Sequence, residues 1–158
     1  MTAPNGFTLA SALPGEAGQI AALHRNIMGE NDGWSDSGLR RVLSASAARG
    51  WIALADQSDA KPAGFVVAFA AAGEAEILAI GVAEEYRRLG IARSLLRQLA
   101  AQLAAEGVAC LHLEVRASNF TARQLYTRNG FNETGLRKHY YQGIEDAVTM
   151  TCALAALC

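Results

Sequence analysis

Apolar residues in the middle of the chain recur at helical spacing. Ile91, Leu95, Leu96, Leu99 and Leu103 form one stripe that Gly107 ends, which predicts an amphipathic helix over 91–106. The period then changes from about 3.6 to two. Leu111, Leu113 and Val115 alternate with His112, Glu114 and Arg116, the pattern of a strand over 110–116 with one apolar and one polar face. Upstream, 7–10 reads as a first strand, and Pro14-Gly15 breaks it. A helix follows over 16–28, with Ile20, Leu23 and Ile27 on one face. After a loop over 29–33, Ser35 or Asp36 caps a second helix running to about Ala48, and Gly50 closes that segment. Strands over 51–55 and 64–70, joined by a turn over 57–62, form a hairpin, and 76–82 is a further strand rich in Ile and Val. Beyond residue 116, Ser118 or Asn119 caps a helix to Asn129, with Gly130 at its end. Two last strands, 131–136 and 147–154, are joined by a long loop holding Tyr140 and Tyr141.

The order β, α, α, β, β, β, α, β, α, β, β contains one strand–helix–strand unit, hence one parallel pair. The hairpins supply antiparallel pairs. The expected fold is α/β (α+β mixed), a twisted sheet of about seven strands flanked by four helices, as a single domain over 1–158.

Composition narrows the function classes. The chain is 51% hydrophobic with a formal net charge of −1, and wholesale nucleic-acid binding is not expected. No stretch approaches the roughly 18 uninterrupted apolar residues of a membrane helix, and the first residues lack a signal-peptide pattern. Cys110, Cys152 and Cys158 are an odd set without close pairing, and His24, His112 and His139 show no metal-ligand spacing. A reducing cytoplasm and no metal are the expectations. Charge is uneven along the chain: 83–140 carries nine Arg or Lys against five Glu, and the remainder five against ten. A basic half suits a small polyanion; a solvated basic face would read the same way.

The segment Arg87-Arg88-Leu89-Gly90-Ile91-Ala92 lies between a strand and a helix. A helix N-terminus there presents unpaired N–H groups and the positive dipole end, which favour an anion. Gly90 and Ala92 are small enough to let a ligand approach the backbone. No Lys-Ser or Lys-Thr follows the glycine and there is no Gly-x-Gly-x-x-Gly, so neither a nucleotide P-loop nor a dinucleotide fold is indicated.

Arg87-x-x-Gly90-x-Ala92 resembles the acyl-CoA signature of the GNAT acetyltransferases. Other strings resemble the RimI branch of that family, the ribosomal-protein-alanine N-acetyltransferases. These are Glu76-Ile-Leu-Ala-Ile-Gly-Val82, Leu113-Glu-Val-Arg-Ala-Ser-Asn119, Ala122-Arg-Gln-Leu-Tyr126, Asn129-Gly-Phe131, Tyr140-Tyr141, Glu145-Asp146-Ala147 and, less specifically, Trp34-Ser35. The resemblance is dense over 75–150 and thin before it. Ala92 stands where RimI proteins usually carry glycine, and the stretch from Tyr141 to Glu145 is short. The resemblance implies acetyl-CoA as cofactor, with pantetheine on the backbones of Ile80 and Val82 and pyrophosphate on those of Arg87, Arg88, Leu89, Gly90, Ile91 and Ala92. The same resemblance implies that Asn119 contacts the cofactor from the next helix.

Acetyl transfer to an amine needs a neutral amine, a polarised thioester and a protonated leaving thiolate. At neutral pH about a tenth of protein N-termini but under about 0.1% of lysines are already neutral. An N-terminal amine therefore needs only a modest base and attacks directly. The resemblance makes Glu114 the general base and Tyr126 the general acid. The plainer alternatives are a Glu114 paired with Arg116 or His112, and a Tyr126 packed in the core beside Leu125. Trp34, Tyr140 and Tyr141 are the candidate substrate-binding residues; Trp34 serves equally as an anchor between the first two helices. Cys110 has no histidine placed to activate it and reads as a buried strand residue. The expected function is N-acetylation of a protein N-terminus, that of a small-subunit ribosomal protein beginning with alanine, by a cytoplasmic monomer or weak dimer with no nucleic-acid or membrane partner. Alternatives are a GNAT acting on a lysine or small-molecule amine, and a non-catalytic acyl-CoA-binding module.

Overall fold

Among the described residues, seven strands and four helices occur in the order expected from the pattern. A computed structural model describes residues 4–30, 33–56 and 61–156. Residues 57–60 of the expected turn over 57–62, residues 31–32 of the expected loop, and Cys158 lie outside the described residues; Pro62, expected in the turn, already belongs to a strand. The elements are β1 (Phe7–Ser11), α1 (Ala17–Met28), α2 (Asp36–Ser44), β2 (Ala48–Ala55), β3 (Pro62–Ala71), β4 (Glu74–Val82), α3 (Ile91–Ala105), β5 (Cys110–Arg116), α4 (Phe120–Arg128), β6 (Asn132–Tyr141) and β7 (Glu145–Ala153). The strands run β1-β2-β3-β4-β5-β7-β6. The chain forms two compact units, residues 1–69 with 78–99 and residues 70–77 with 100–158.

In the first unit β1, β2 and β3 pair antiparallel, Phe7 opposite Ala55 and Trp51 opposite Val66. Ile20, Leu39, Ile52, Phe65 and Val67 form its core, with Ile27, Trp34 and Leu78 packed against them. Each fully buried aliphatic or aromatic side chain contributes roughly 1.5–3 kcal/mol. Close approach explains Gly81, where a Cβ would stand 2.7 Å from Ile27 Cδ1 and 3.1 Å from Phe65 Cε1. Ser35 is the N-cap of α2, its Oγ accepting from the Gly38 N–H at 3.0 Å. This helix ends at Ser44, not near Ala48. Ala48 and Arg49 are already in β2, opposite Phe69 and Ala68. Strand pairing there outweighs the helix propensity of alanine.

The α3 stripe is as expected, with Ile91, Leu95, Leu96, Leu99 and Leu103 at 2% exposure or less. The helix stops in a Schellman arrangement: the N–H of Val108 donates to Leu103 O at 2.9 Å and that of Gly107 to Ala104 O at 3.1 Å, with Gly107 at φ +84°.

In the second unit Glu74, Ala75 and Glu76 pair parallel with Cys110, Leu111 and His112, the expected parallel pair. Along its whole length β5 pairs antiparallel with β7, Leu113 opposite Met150 and Glu114 opposite Thr149. Leu111, Leu113 and Val115 are buried with Val148, Met150 and Cys152. The other face of these two strands carries His112, Glu114 and Arg116 opposite Thr151, Thr149 and Ala147. Cys110 is half-buried on β5.

The last hairpin differs from expectation. Tyr140 and Tyr141 do not sit in a long loop; they end β6, and only 142–144 separate them from β7. Gln142 (φ +53°) and Gly143 (φ +69°) are the central residues of a tight turn closed by Ile144 N–H to Tyr141 O at 3.0 Å. Both positive φ values mark the type I′ turn that matches strand twist. The register shifts between Arg137 and Tyr141, with His139 at φ +54°. This bulge interrupts the alternation that would have announced the strand.

Candidate active site

The candidate residues fall into two groups, one in each unit. In the first unit, Ile80 and Val82 are half-buried residues of β4. A turn of 3-10 helix over Glu84–Tyr86 leads to an exposed stretch from Arg87 to Gly90. Arg87 folds back, its Nε donating to Val82 O at 3.3 Å. Arg88 (φ +65°) and Gly90 (φ +82°) are both left-handed, which bends the chain sharply into α3. Among the described residues, a Cβ at Gly90 would meet only Pro4 Cγ, at 4.0 Å. Backbone conformation, not crowding, therefore requires the glycine. Ser94 N–H donates to Gly90 O at 3.0 Å, and the amides before it belong to the first turn, where the helix offers no acceptor. No acidic residue occupies that turn. The donor set, the dipole end and the two arginines fit a pyrophosphate. Ala92 follows on α3, half-buried.

Trp34 is an anchor in this unit. Its N–H donates to His24 Nδ1 at 3.0 Å, its carbonyl accepts from Arg25 NH1 at 2.9 Å, and its ring lies 4.9 Å from that of His24. His24 is buried, and burial pushes its imidazole below the usual value of 6.5. Sequence reasoning passed over His24, although it stands one turn after Ile20 on the apolar face of α1.

The second unit holds the titratable candidates. Glu114, on the polar face of β5, is only 17% exposed in its side chain, and its Oε1 accepts from Arg137 NH1 at 2.6 Å. The partner is thus neither Arg116 nor His112. Arg116 instead bonds Glu145 at 3.3 Å, and His112 Nδ1 lies 2.9 Å from Thr151 Oγ1. Arg137 also lies 4.7 Å over the Tyr140 ring, and its hydrogen bond to Glu114 raises its own pKa. The Tyr140 and Tyr141 rings meet edge to face at 5.1 Å, and Arg116 lies 4.3 Å over Tyr141.

Tyr126 on α4 is 7% exposed and packs edge to face on Phe131 at 5.7 Å. Burial first, and the nearby Tyr141 second, push its phenol up to about 12. Burial and then Glu114 likewise raise Tyr141. Tyr141 is the electrostatic neighbour common to Glu114 and Tyr126. Asn119 caps α4, its Oδ1 accepting from Ala122 N–H at 3.2 Å.

Glu145 and Asp146, at the start of β7, brace the last hairpin. Glu145 Oε1 accepts from both the N–H and the hydroxyl of Ser118, which with Arg116 hold its carboxyl below the usual range. Asp146 Oδ1 accepts from His139 N–H at 2.9 Å, and Asp146 O from Ala117 N–H at 3.0 Å. The two acids tie the bulge in β6 and the turn before α4 to the start of β7. No helix among the described residues is long and apolar enough to cross a membrane.

Comparison with known proteins bears on the family and the fold. The chain is 42% identical over 98 residues to the [ribosomal protein bS18]-alanine N-acetyltransferase of Escherichia coli (strain K12), a stretch covering 60% of this chain and 66% of that protein. An N-alpha-acetyltransferase of Sulfurisphaera tokodaii is 40% identical over 79 residues, 49% of this chain and 47% of that one. The crystal structure of the ribosomal-protein-S18-alanine N-acetyltransferase from Escherichia coli superposes with a TM-score of 0.81 at 30% identity, covering 94% of both chains. The family model described as "Acetyltransferase (GNAT) family" matches residues 20–131, and the chain belongs to that family.

Proposed function

We propose that this protein is an acetyl-CoA-dependent N-acetyltransferase of protein N-termini, acting on an N-terminal alanine of a small-subunit ribosomal protein. The observation that carries the reading is the environment of Glu114: a mostly buried carboxylate, fixed by Arg137 at one oxygen, on the polar face of a strand beside Tyr141. The similarity to alanine N-acetyltransferases of ribosomal protein bS18 supports the choice of acceptor. Acetyl-CoA would be held by the backbones of Ile80 and Val82, by the amides of residues 87–92, and by Asn119, and it supplies an activated acetyl group.

The protein's own part is proton handling. Glu114 accepts a proton from the acceptor's α-ammonium, and the freed lone pair of the nitrogen forms the new N–C bond as the C–S bond breaks. The Tyr126 hydroxyl would give its proton to the departing sulfur, and the second proton that the nitrogen sheds on becoming an amide would restore the phenol, the net proton leaving Glu114 for solvent. A phenol at about 12 stays protonated throughout the physiological range and so remains a donor. Tyr140 and Tyr141 would contact the acceptor peptide. No nucleophile of the protein is needed, because an amine with a pKa near 8 is a sufficient nucleophile once neutral. A monomer or weak dimer in the cytoplasm fits this role.

The test is CoA release from acetyl-CoA with short peptides that vary the first residue, alongside peptides blocked at the N-terminus and bearing a free lysine. Turnover confined to free N-termini and fastest with alanine is expected. Turnover with the blocked lysine peptides, or with none, contradicts the proposal.

A further inference from the structure

Arg137 stands opposite Ala147, and Ala147 opposite Arg116, so the three form one cross-strand row. The preceding row on the same face is Glu114, Thr149 and Gly135. Arg137 therefore crosses β7 diagonally over Ala147, whose small side chain is fully buried. It meets Glu114 two strands away in sheet order.

The contact is single-pointed, NH1 to Oε1. No hydrogen-bond donor among the described residues reaches Oε2, and no buried side-chain oxygen among them is left without a partner, so Oε2 keeps contact with solvent. The guanidinium is steered from its other side by the Tyr140 ring.

We propose that Arg137 is a positioning residue that holds Glu114 by Oε1 and presents Oε2 to the acceptor amine. The inference rests on the reading of Glu114 as general base. The pair persists while Oε2 takes the ammonium proton. Arg137 itself does not touch the acceptor, and its effect passes through Glu114. Because one N–H donor suffices for a single-pointed bond, a lysine replaces it in part, although lysine could not replace a bidentate arginine.

The experiment is a double-mutant cycle. Parent, Arg137→Gln, Arg137→Lys, Glu114→Gln and the double Gln variant are compared for kcat and for both KM values, with acetyl-CoA and a peptide beginning with alanine. Arg137 is 57% exposed in its side chain, so the variants are expected to fold, and equal thermal midpoints verify it. Arg137→Gln is expected to lower kcat roughly 10-fold with KM for acetyl-CoA unchanged. Arg137→Lys should recover most of the loss, and the double variant should be no slower than Glu114→Gln alone. An Arg137→Gln variant with parental kcat, or losses that multiply in the double variant, overturns the inference. If Glu114→Gln keeps parental kcat, or the parent turns over no peptide, the reading of Glu114 fails, and this inference with it.

Discussion

Glu114 and Tyr126, proposed for opposite tasks, have different surroundings. Glu114 faces the polar side of β5 with an ion-pair partner, while Tyr126 is sealed against Phe131. Glu114→Gln should lower kcat by about 10²–10³ while acetyl-CoA affinity stays unchanged, measured by steady-state kinetics and by calorimetric titration. Unchanged kcat would remove Glu114 from the chemistry. Tyr126 also makes a stability prediction. Its folded pKa of about 12 lies above the unfolded 10.0, so the neutral phenol is favoured in the fold. Its stabilisation is complete below pH 10 and is lost as pH rises through 12, amounting to about 3 kcal/mol at most. Denaturant midpoints between pH 9 and 12 should fall less steeply in Tyr126→Phe than in the parent; equal slopes would contradict the burial argument. The polar-face position of Glu114 was legible in the alternation of β5, while the roles of Glu114 and Tyr126 came from the family resemblance alone. The partner of Glu114 was not legible. Arg137 is 23 residues away, and two register shifts in β6 hide which of its residues share a face with β5.

At the level of elements, the α1–α2 pair depends on a short set of polar bonds. His24 accepts from Trp34 N–H, and Ser35 caps α2 from the next position. Burial lowers the His24 pKa below 6.5, so the native state favours the neutral ring. Stability from this site is full above about pH 6.5 and declines as pH falls toward the folded value, since the unfolded chain then binds the proton more readily. Urea unfolding at pH 7.5 and 5.5 should show a larger loss in the parent than in His24→Asn, which keeps an acceptor without titrating. An equal loss would place the pH sensitivity elsewhere. Ser35→Ala should cost about 1 kcal/mol through loss of the cap; an unchanged midpoint would mean that water replaces it. Element order was legible throughout because α3 and β5 keep strict periods. The ends were less so: α2 stops early where β2 claims Ala48, and β6 continues past residue 136 although nearly all of it is exposed. An edge strand with no apolar face to bury leaves little hydrophobic trace in sequence.

Across the whole molecule, the expected parallel pair and the cofactor signature come from one central stretch. That stretch joins a strand, a left-handed turn at Gly90, an apolar helix and an alternating strand. The substrate side is less legible, because Tyr140 and Tyr141 owe their placement to a bulge and a type I′ turn rather than to periodicity. The acidic string that follows acquires a meaning only in three dimensions, where Glu145 and Asp146 brace that hairpin. Selectivity for α-amines is the claim on which the account depends. The most direct measurement uses one peptide with both a free N-terminal alanine and an internal lysine, incubated with protein and acetyl-CoA, the acetyl group then located by fragmentation mass spectrometry. The account predicts a single acetyl group on the alanine nitrogen and an unmodified lysine. Acetylation of the lysine with a free N-terminus would contradict it.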